Sequence, residues 1–212
     1  MFRWFAFLIT YPLAAGLSGC SSMNSTEATA NRACCQPLAA NAFSAEKSIY
    51  DREATWETDA GEFKPLAALA GKPQVVELIH ATCQVTCPIT LQSMKQLEAS
   101  LPKEARSQVG FVLVTLDPLA DSPATLRSFR RSQQLSSRWT LLRGTSSATQ
   151  LLAHSLGVAF VRDNYRLAHS TQITVLDAHG KIVFRQIDLH VGNDELAQAV
   201  AATIPPQTLI AH

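Results

Sequence analysis

Two apolar, largely β-branched runs constrain this chain most: PQVVELIHA at residues 73–81 and VGFVLVTLD at 109–117. Each reads as a buried strand. Between them, Ile89, Leu91, Met94 and Leu97 recur at roughly helical spacing from Pro88 to about Leu101. Strands joined through a helix imply parallel neighbours. The pattern continues downstream. SPATLRSFRRSQQ opens with a capping Ser122 and with Pro123 at the first helical position. WTLLRG is a short extended piece, and SSATQLLAHSLG (146–157) reads as a helix ended by Gly157. TQITVLD and KIVFRQI flank Ala178-His179-Gly180 and predict a hairpin. A last helix is expected from about Asn193 to Thr203, stopping at Pro205-Pro206. Upstream, short extended pieces surround a turn at Asp59-Ala60-Gly61. The order is an N-terminal hairpin followed by β-α-β-α-(α)-β-β-α. It predicts an α/β fold with a central mixed sheet flanked by helices and an N-terminal β-hairpin extension.

The first twenty residues differ from the rest. MFRWFAFLITYPLAAGLSGC has one basic residue, Arg3, and then an apolar run to about Leu17. That run falls short of a membrane span of ~20 residues and reads as a signal-peptide core, residues 1–19. Its end, Leu17-Ser18-Gly19-Cys20, resembles a bacterial lipobox. The resemblance implies cleavage before Cys20, acylation of its thiol, and a membrane-anchored lipoprotein facing the periplasm. Residues 20–47, rich in Ser, Ala, Asn and Thr, read as a tether, and the domain is expected to occupy 48–212. Outside the cytoplasm thiols tend to be oxidised. With Cys20 set aside, Cys34-Cys35 form an adjacent pair in the tether and Cys83 and Cys87 a spaced pair in the domain. Charged residues are 17% and the net charge is +1, with no basic stripe, so nothing points to a nucleic-acid partner.

The spaced pair lies in HATCQVTCPIT, directly after the first buried strand. Its C-x-x-x-C spacing is one residue wider than the redox motif C-x-x-C. Pro88 suits a first helical turn and restricts the residue before it. Cys87 is therefore expected at a helix cap and Cys83 in the loop before it, where the helix dipole favours thiolate. Three readings follow: a structural disulfide, a thiol–disulfide exchanger, or a metal site. A loop this short gains little from a disulfide. Two soft thiolates suit Cu(I) and also Zn. The element order is that of a thioredoxin-like fold, in which the loop before the hairpin strand faces the cysteine loop. His169 falls there and is the candidate third ligand. His80, just ahead of the cysteines, is a candidate for an outer supporting role. His154, His179, His190 and the terminal His212 read as solvated.

At these residues the chain resembles the Sco/SenC family of copper chaperones. The likeness rests on Thr82-Cys83-x-x-x-Cys87-Pro88, VTLDPLADSP (114–123), Arg138-Trp139-Thr140-Leu141-Leu142, Ala168-His169-Ser170 and Leu176-Asp177-x-x-Gly180. It runs from about Ile49 to Thr203. It implies copper, as Cu(I) or Cu(II), bound by Cys83, Cys87 and His169, with Cys83 and Cys87 also a redox-active pair able to form a disulfide. It implies delivery to the dinuclear copper centre of a respiratory oxidase subunit, or reduction of that subunit's cysteines before metallation. Other periplasmic copper chaperones or thiol reductants are further expected partners. Asp117 and Asp121 match the family's acidic loop and are expected either to orient the histidine or to meet the partner. The alternative reading is a thiol–disulfide reductase. Both functions need the cysteines, and copper delivery alone needs His169.

Overall fold

The computed structural model describes residues 47–83, 86–163, 166–187 and 193–205, all within one compact unit, Phe43–His212. The leader, Cys20, the tether with Cys34 and Cys35, and His190 and His212 lie outside the described residues.

The buried runs form strands β3 (Gln74–Ile79) and β4 (Gly110–Thr115), paired in parallel from Gln74↔Gly110 to Ile79↔Thr115. Every residue of both strands is buried. This explains the absence of polar alternation: helices cover both faces. β5 (Trp139–Arg143) extends the parallel set beside β4. β8 (Ile173–Leu176) and β9 (Ile182–Gln186) form the expected antiparallel hairpin on the other side of β3. The N-terminal hairpin, β1 (Thr55–Thr58) with β2 (Phe63–Pro65), joins the same sheet, because β1 pairs antiparallel with β5. One seven-stranded mixed sheet results, in the order β2-β1-β5-β4-β3-β8-β9.

Alternate residues of each strand enter opposite cores. Val75, Ile79, Phe111 and Leu113 meet Cys87, Leu91, Met94 and Leu97 of α1 (Thr86–Ser100). Leu126 and Phe129 of α3 (Pro123–Ser132) and Leu196 and Val200 of α5 (Asn193–Ala201) complete that layer. Val76, Leu78, Val112 and Val114 meet Leu152, Ala153 and Leu156 of α4 (Ser146–Leu156). The caps follow the sequence signals. The Ser122 side chain accepts from the Thr125 N–H, and Gly157 closes α4 at φ 78°. A short α2 (Lys103–Ser107) was not anticipated.

A second element was also unforeseen. β6 (Phe160–Asp163) and β7 (Arg166–His169) pair antiparallel as a separate two-stranded sheet. A lone hairpin is marginal in water, so this one needs tertiary anchors. Phe160 and Leu167 pack on the α4-side core. The Ser170 N–H donates to the Ala159 carbonyl at 2.8 Å, and the Ala159 N–H donates to Ser170 Oγ at 3.1 Å. Arg162 pairs with Asp117 at 2.6 Å. Among the described residues, no helix is long and apolar enough to cross a membrane.

Candidate metal centre

β3 ends at Ile79 and delivers His80 to the carboxyl edge of the sheet, where ligand sites of α/β folds gather. The backbone is held on both sides of this residue. The Leu116 N–H donates to the Ile79 carbonyl at 2.7 Å, and the Ala81 N–H donates to Asp121 Oδ2 at 3.0 Å. The His80 carbonyl accepts the Cys83 N–H at 3.0 Å, folding the chain back toward α1.

Cys83 precedes α1, as expected, and Cys83 and Cys87 are not joined by a disulfide in this structure. Cys87, however, is the second residue of α1 rather than its cap, since the helix begins at Thr86. Pro88 still falls in the first turn, where its missing N–H costs nothing. First-turn N–H groups lack intrahelical acceptors, and Cys83 Sγ accepts the one from Cys87 at 3.5 Å.

The thiolate expected from the helix dipole does not hold for metal-free Cys87. Burial pushes its thiol far above the ordinary range. The His80 backbone N–H pulls the other way, and the neighbouring Cys83 thiol and Glu77 carboxylate add to the rise. A helix terminus is worth about 0.3–1 kcal/mol. Removing a charge from water costs more, so burial wins. Cys87 is 1% exposed.

His169 is the last residue of β7 rather than part of a loop, and β8 begins only at Ile173. Its Nε2 lies 3.9 Å from Cys87 Sγ. Its Nδ1 lies 3.1 Å from the Ser170 carbonyl. A carbonyl can only accept, so Nδ1 is the donor in that contact, and in the neutral ring Nε2 then carries the lone pair that faces the sulfur. This is the backbone–histidine arrangement that orients metal-binding imidazoles. Ser170 thus does two things: its carbonyl sets the tautomer, and its N–H and Oγ pin the hairpin to Ala159.

The third member of the cluster is His80. Donor atoms of His80, Cys87 and His169 all lie within 4.8 Å of one another, so these three could hold a metal ion. The two rings meet edge to face, with centroids 5.5 Å apart. Burial, and then the facing His169, lower the pKa of His80 and favour its neutral, ligating form. Cys83 Sγ is not one of the three and sits against the Cys87 amide. The sequence had offered His80 a supporting role. Its position directly after a buried strand, at the same sheet edge as the cysteines, was the available signal.

The acidic residues bond to the backbone and the hairpin, and their charges also act on the His80 imidazole, opposing the fall in its pKa. Asp121, 1% exposed, accepts from the Ala81 N–H and from Thr115 Oγ1 at 2.5 Å, and so fixes the turn after His80. Burial opposes ionisation of Asp117, but its bonds from Arg162 and the Ala120 N–H overcome this and hold its carboxyl below the ordinary value. That ion pair joins the loop after β4 to the hairpin carrying His169. His154 and His179 are exposed, as expected. Beneath the thiols, Glu77 of β3 was not anticipated. It is 1% exposed, its Oε1 is bonded by Thr90 Oγ1, and burial pushes its carboxyl up to about 8.

Solved structures share this architecture. Bradyrhizobium japonicum ScoI with copper bound matches at a TM-score of 0.61 and 20% identity, over 71% of this chain and 97% of that one. Yeast Sco1 with copper bound gives 0.60 and 21%, over 73% and 90%. A SCO1/SenC family lipoprotein from Bacillus anthracis gives 0.64 and 22%, over 74% and 98%. A Stutzerimonas stutzeri protein named for copper binding is 29% identical over 119 residues, which span 54% of this chain and 57% of that relative. Residues 55–205 match the SCO1/SenC family itself, and the chain belongs to that family.

Proposed function

We propose that this protein binds copper at Cys83, Cys87 and His169 and delivers it to the dinuclear copper centre of a respiratory oxidase. The supporting observation is the approach of His169 Nε2 to Cys87 Sγ at 3.9 Å, made by elements 82 residues apart in the chain. Around a shared ion, bond lengths of about 2.0–2.1 Å to nitrogen and 2.3 Å to sulfur put these donors roughly 3.6–3.8 Å apart. The pair therefore stands close to its ligating separation. Soft sulfur and imidazole donors suit copper. Copper-bound ScoI and Sco1 share the fold, which favours the same cargo here.

In this reading the reduced cysteines take the ion and an oxidised pair cannot offer two thiolates. Delivery is then gated by the redox state of Cys83 and Cys87. Loading displaces the thiol proton of Cys87, and the ion supplies the charge that offsets its burial. Export, cleavage before Cys20 and lipid anchorage at the periplasmic face complete the proposal. The Bacillus anthracis relative is itself a lipoprotein.

The test is anaerobic copper titration of the reduced chain, followed by absorption. A sulfur-to-copper charge-transfer band saturating at one equivalent, and lost on replacing either cysteine, supports the site. Binding no tighter than to an unrelated protein removes it. His169→Ala separates delivery from a thiol–disulfide reductase activity. Unchanged copper affinity in that variant would refute the imidazole ligand.

A further inference from the structure

The three donors that the fold assembles include His80 in place of Cys83. We infer that His80 is a second imidazole ligand that exchanges with Cys83. Copper would then be held by two overlapping donor sets sharing Cys87 and His169. The inference rests on the copper-binding reading above and adds a residue to it.

Three observations carry it. First, His80 meets both shared donors at once: its ligand atom, Cys87 Sγ and the His169 ligand atom are mutually within 4.8 Å. Contraction by at most about 1–1.5 Å would bring any such pair to the separation set by a common ion. Second, His80 Nδ1 is buried with no hydrogen-bond partner among the described residues. A buried polar atom left unsatisfied costs about 1–3 kcal/mol, and a ligand would supply the missing interaction. Third, the backbone on either side of His80 is anchored through Ile79 to Leu116 and through Ala81 to Asp121. The ring thus projects from a fixed strand end, whereas the Cys83 sulfur rests on the Cys87 amide in the first turn of α1.

The consequence is a route for release. When Cys83 leaves the ion, one copper–sulfur bond is replaced by one copper–nitrogen bond from His80. The oxidation state of copper does not change. The departing thiolate takes a proton from water, and the ion keeps three protein ligands while a recipient approaches the position Cys83 has vacated. A Cys2His site alone would drop to two ligands at that moment.

The experiment is Cu(I) titration of the reduced full chain against a chromophoric chelator. It compares wild type, Cys83→Ser, His80→Phe and the double variant, with circular dichroism confirming that each is folded. The expected result is that Cys83→Ser still binds one equivalent and that adding His80→Phe weakens binding at least tenfold further. His80→Phe alone should weaken it less than threefold. In Cys83→Ser loaded with Cu(I), 15N imidazole resonances of both His80 and His169 should shift. Equal affinity of Cys83→Ser and the double variant, or an unmoved His80 resonance, overturns the proposal. The resonance settles the matter even where the double variant does not fold. Failure of wild type to bind copper would instead overturn the copper-binding reading on which this rests.

Discussion

Replacing Glu77 by glutamine should remove a pH dependence built into the core. Glu77 lies on β3 facing α1, and burial pushes its carboxyl from the usual 4.5 up to about 8, against the opposing bond from Thr90. The neighbouring hydroxyl supports a protonated group. Thr90 Oγ1 lies within bonding reach of both Glu77 Oε1 and the Cys87 carbonyl, the latter at 3.2 Å. Thr90 has one hydroxyl proton. Both contacts are satisfied when protonated Glu77 donates to Thr90 and Thr90 donates to Cys87. The sign follows from linkage. Below about pH 4.5 the carboxyl is protonated whether folded or unfolded, and its contribution is complete. As pH rises the unfolded chain ionises first, so stability falls by about 1.4 kcal/mol per pH unit until the folded carboxyl ionises near 8. The whole interval amounts to roughly 5 kcal/mol. Glutamine keeps the shape and cannot ionise. Urea unfolding of wild type and Glu77→Gln, reduced and metal-free, should therefore give a stability difference that grows from pH 4.5 to 8 in favour of the variant. Both chains should carry Cys83→Ser, which removes the one thiol whose charge adds to the Glu77 shift. A difference independent of pH would refute the argument.

Copper affinity should climb with pH between 6 and 8, approaching tenfold per unit for each thiol proton displaced. A flat profile in a chelator competition would mean that Cys87 does not load as thiolate. Arg162→Ala should change global stability by less than about 1 kcal/mol, because the guanidinium is partly exposed. It should nonetheless speed amide hydrogen exchange across Phe160–Asp163 and Arg166–His169 and weaken copper binding several-fold; unaltered exchange there would show that the ion pair does not hold the hairpin. Asp121→Ala leaves the Ala81 N–H and the Thr115 hydroxyl without their acceptor. It should cost about 1–3 kcal/mol in chemical denaturation. Met94→Ala, at a side chain with no exposure, should cost about 2–5 kcal/mol by the same assay.

Much of the framework was readable from local pattern. Unbroken apolar runs marked β3 and β4 because both of their faces are covered. Ser122-Pro123 and Gly157 marked helix ends because caps act within one turn of chain. Cys83 and Cys87 stood out by their spacing, which left a disulfide, thiol exchange or a metal site open, and the resemblance at Ala168-His169-Ser170 pointed to a ring that does stand beside Cys87. The β6–β7 hairpin escaped notice because four-residue strands carrying Arg162 and Asp163 show little alternation, and its anchors, Asp117 and Ala159, are remote or unremarkable. The protonated state of Cys87 escaped for a related reason: a helix terminus can be read from sequence, but burial depends on everything packed above it.

The amino-acid sequence by itself determined which residues become strands and helices, and which side chains carry sulfur and imidazole, since those depend on near neighbours. Only the tertiary structure decided that His80 joins Cys87 and His169, that Asp121 fixes the turn after His80 while Asp117 pairs with Arg162, and that Glu77 is sealed beneath the thiols. Each of these is a meeting of segments through the fold, and distance through space has no local signature along the chain.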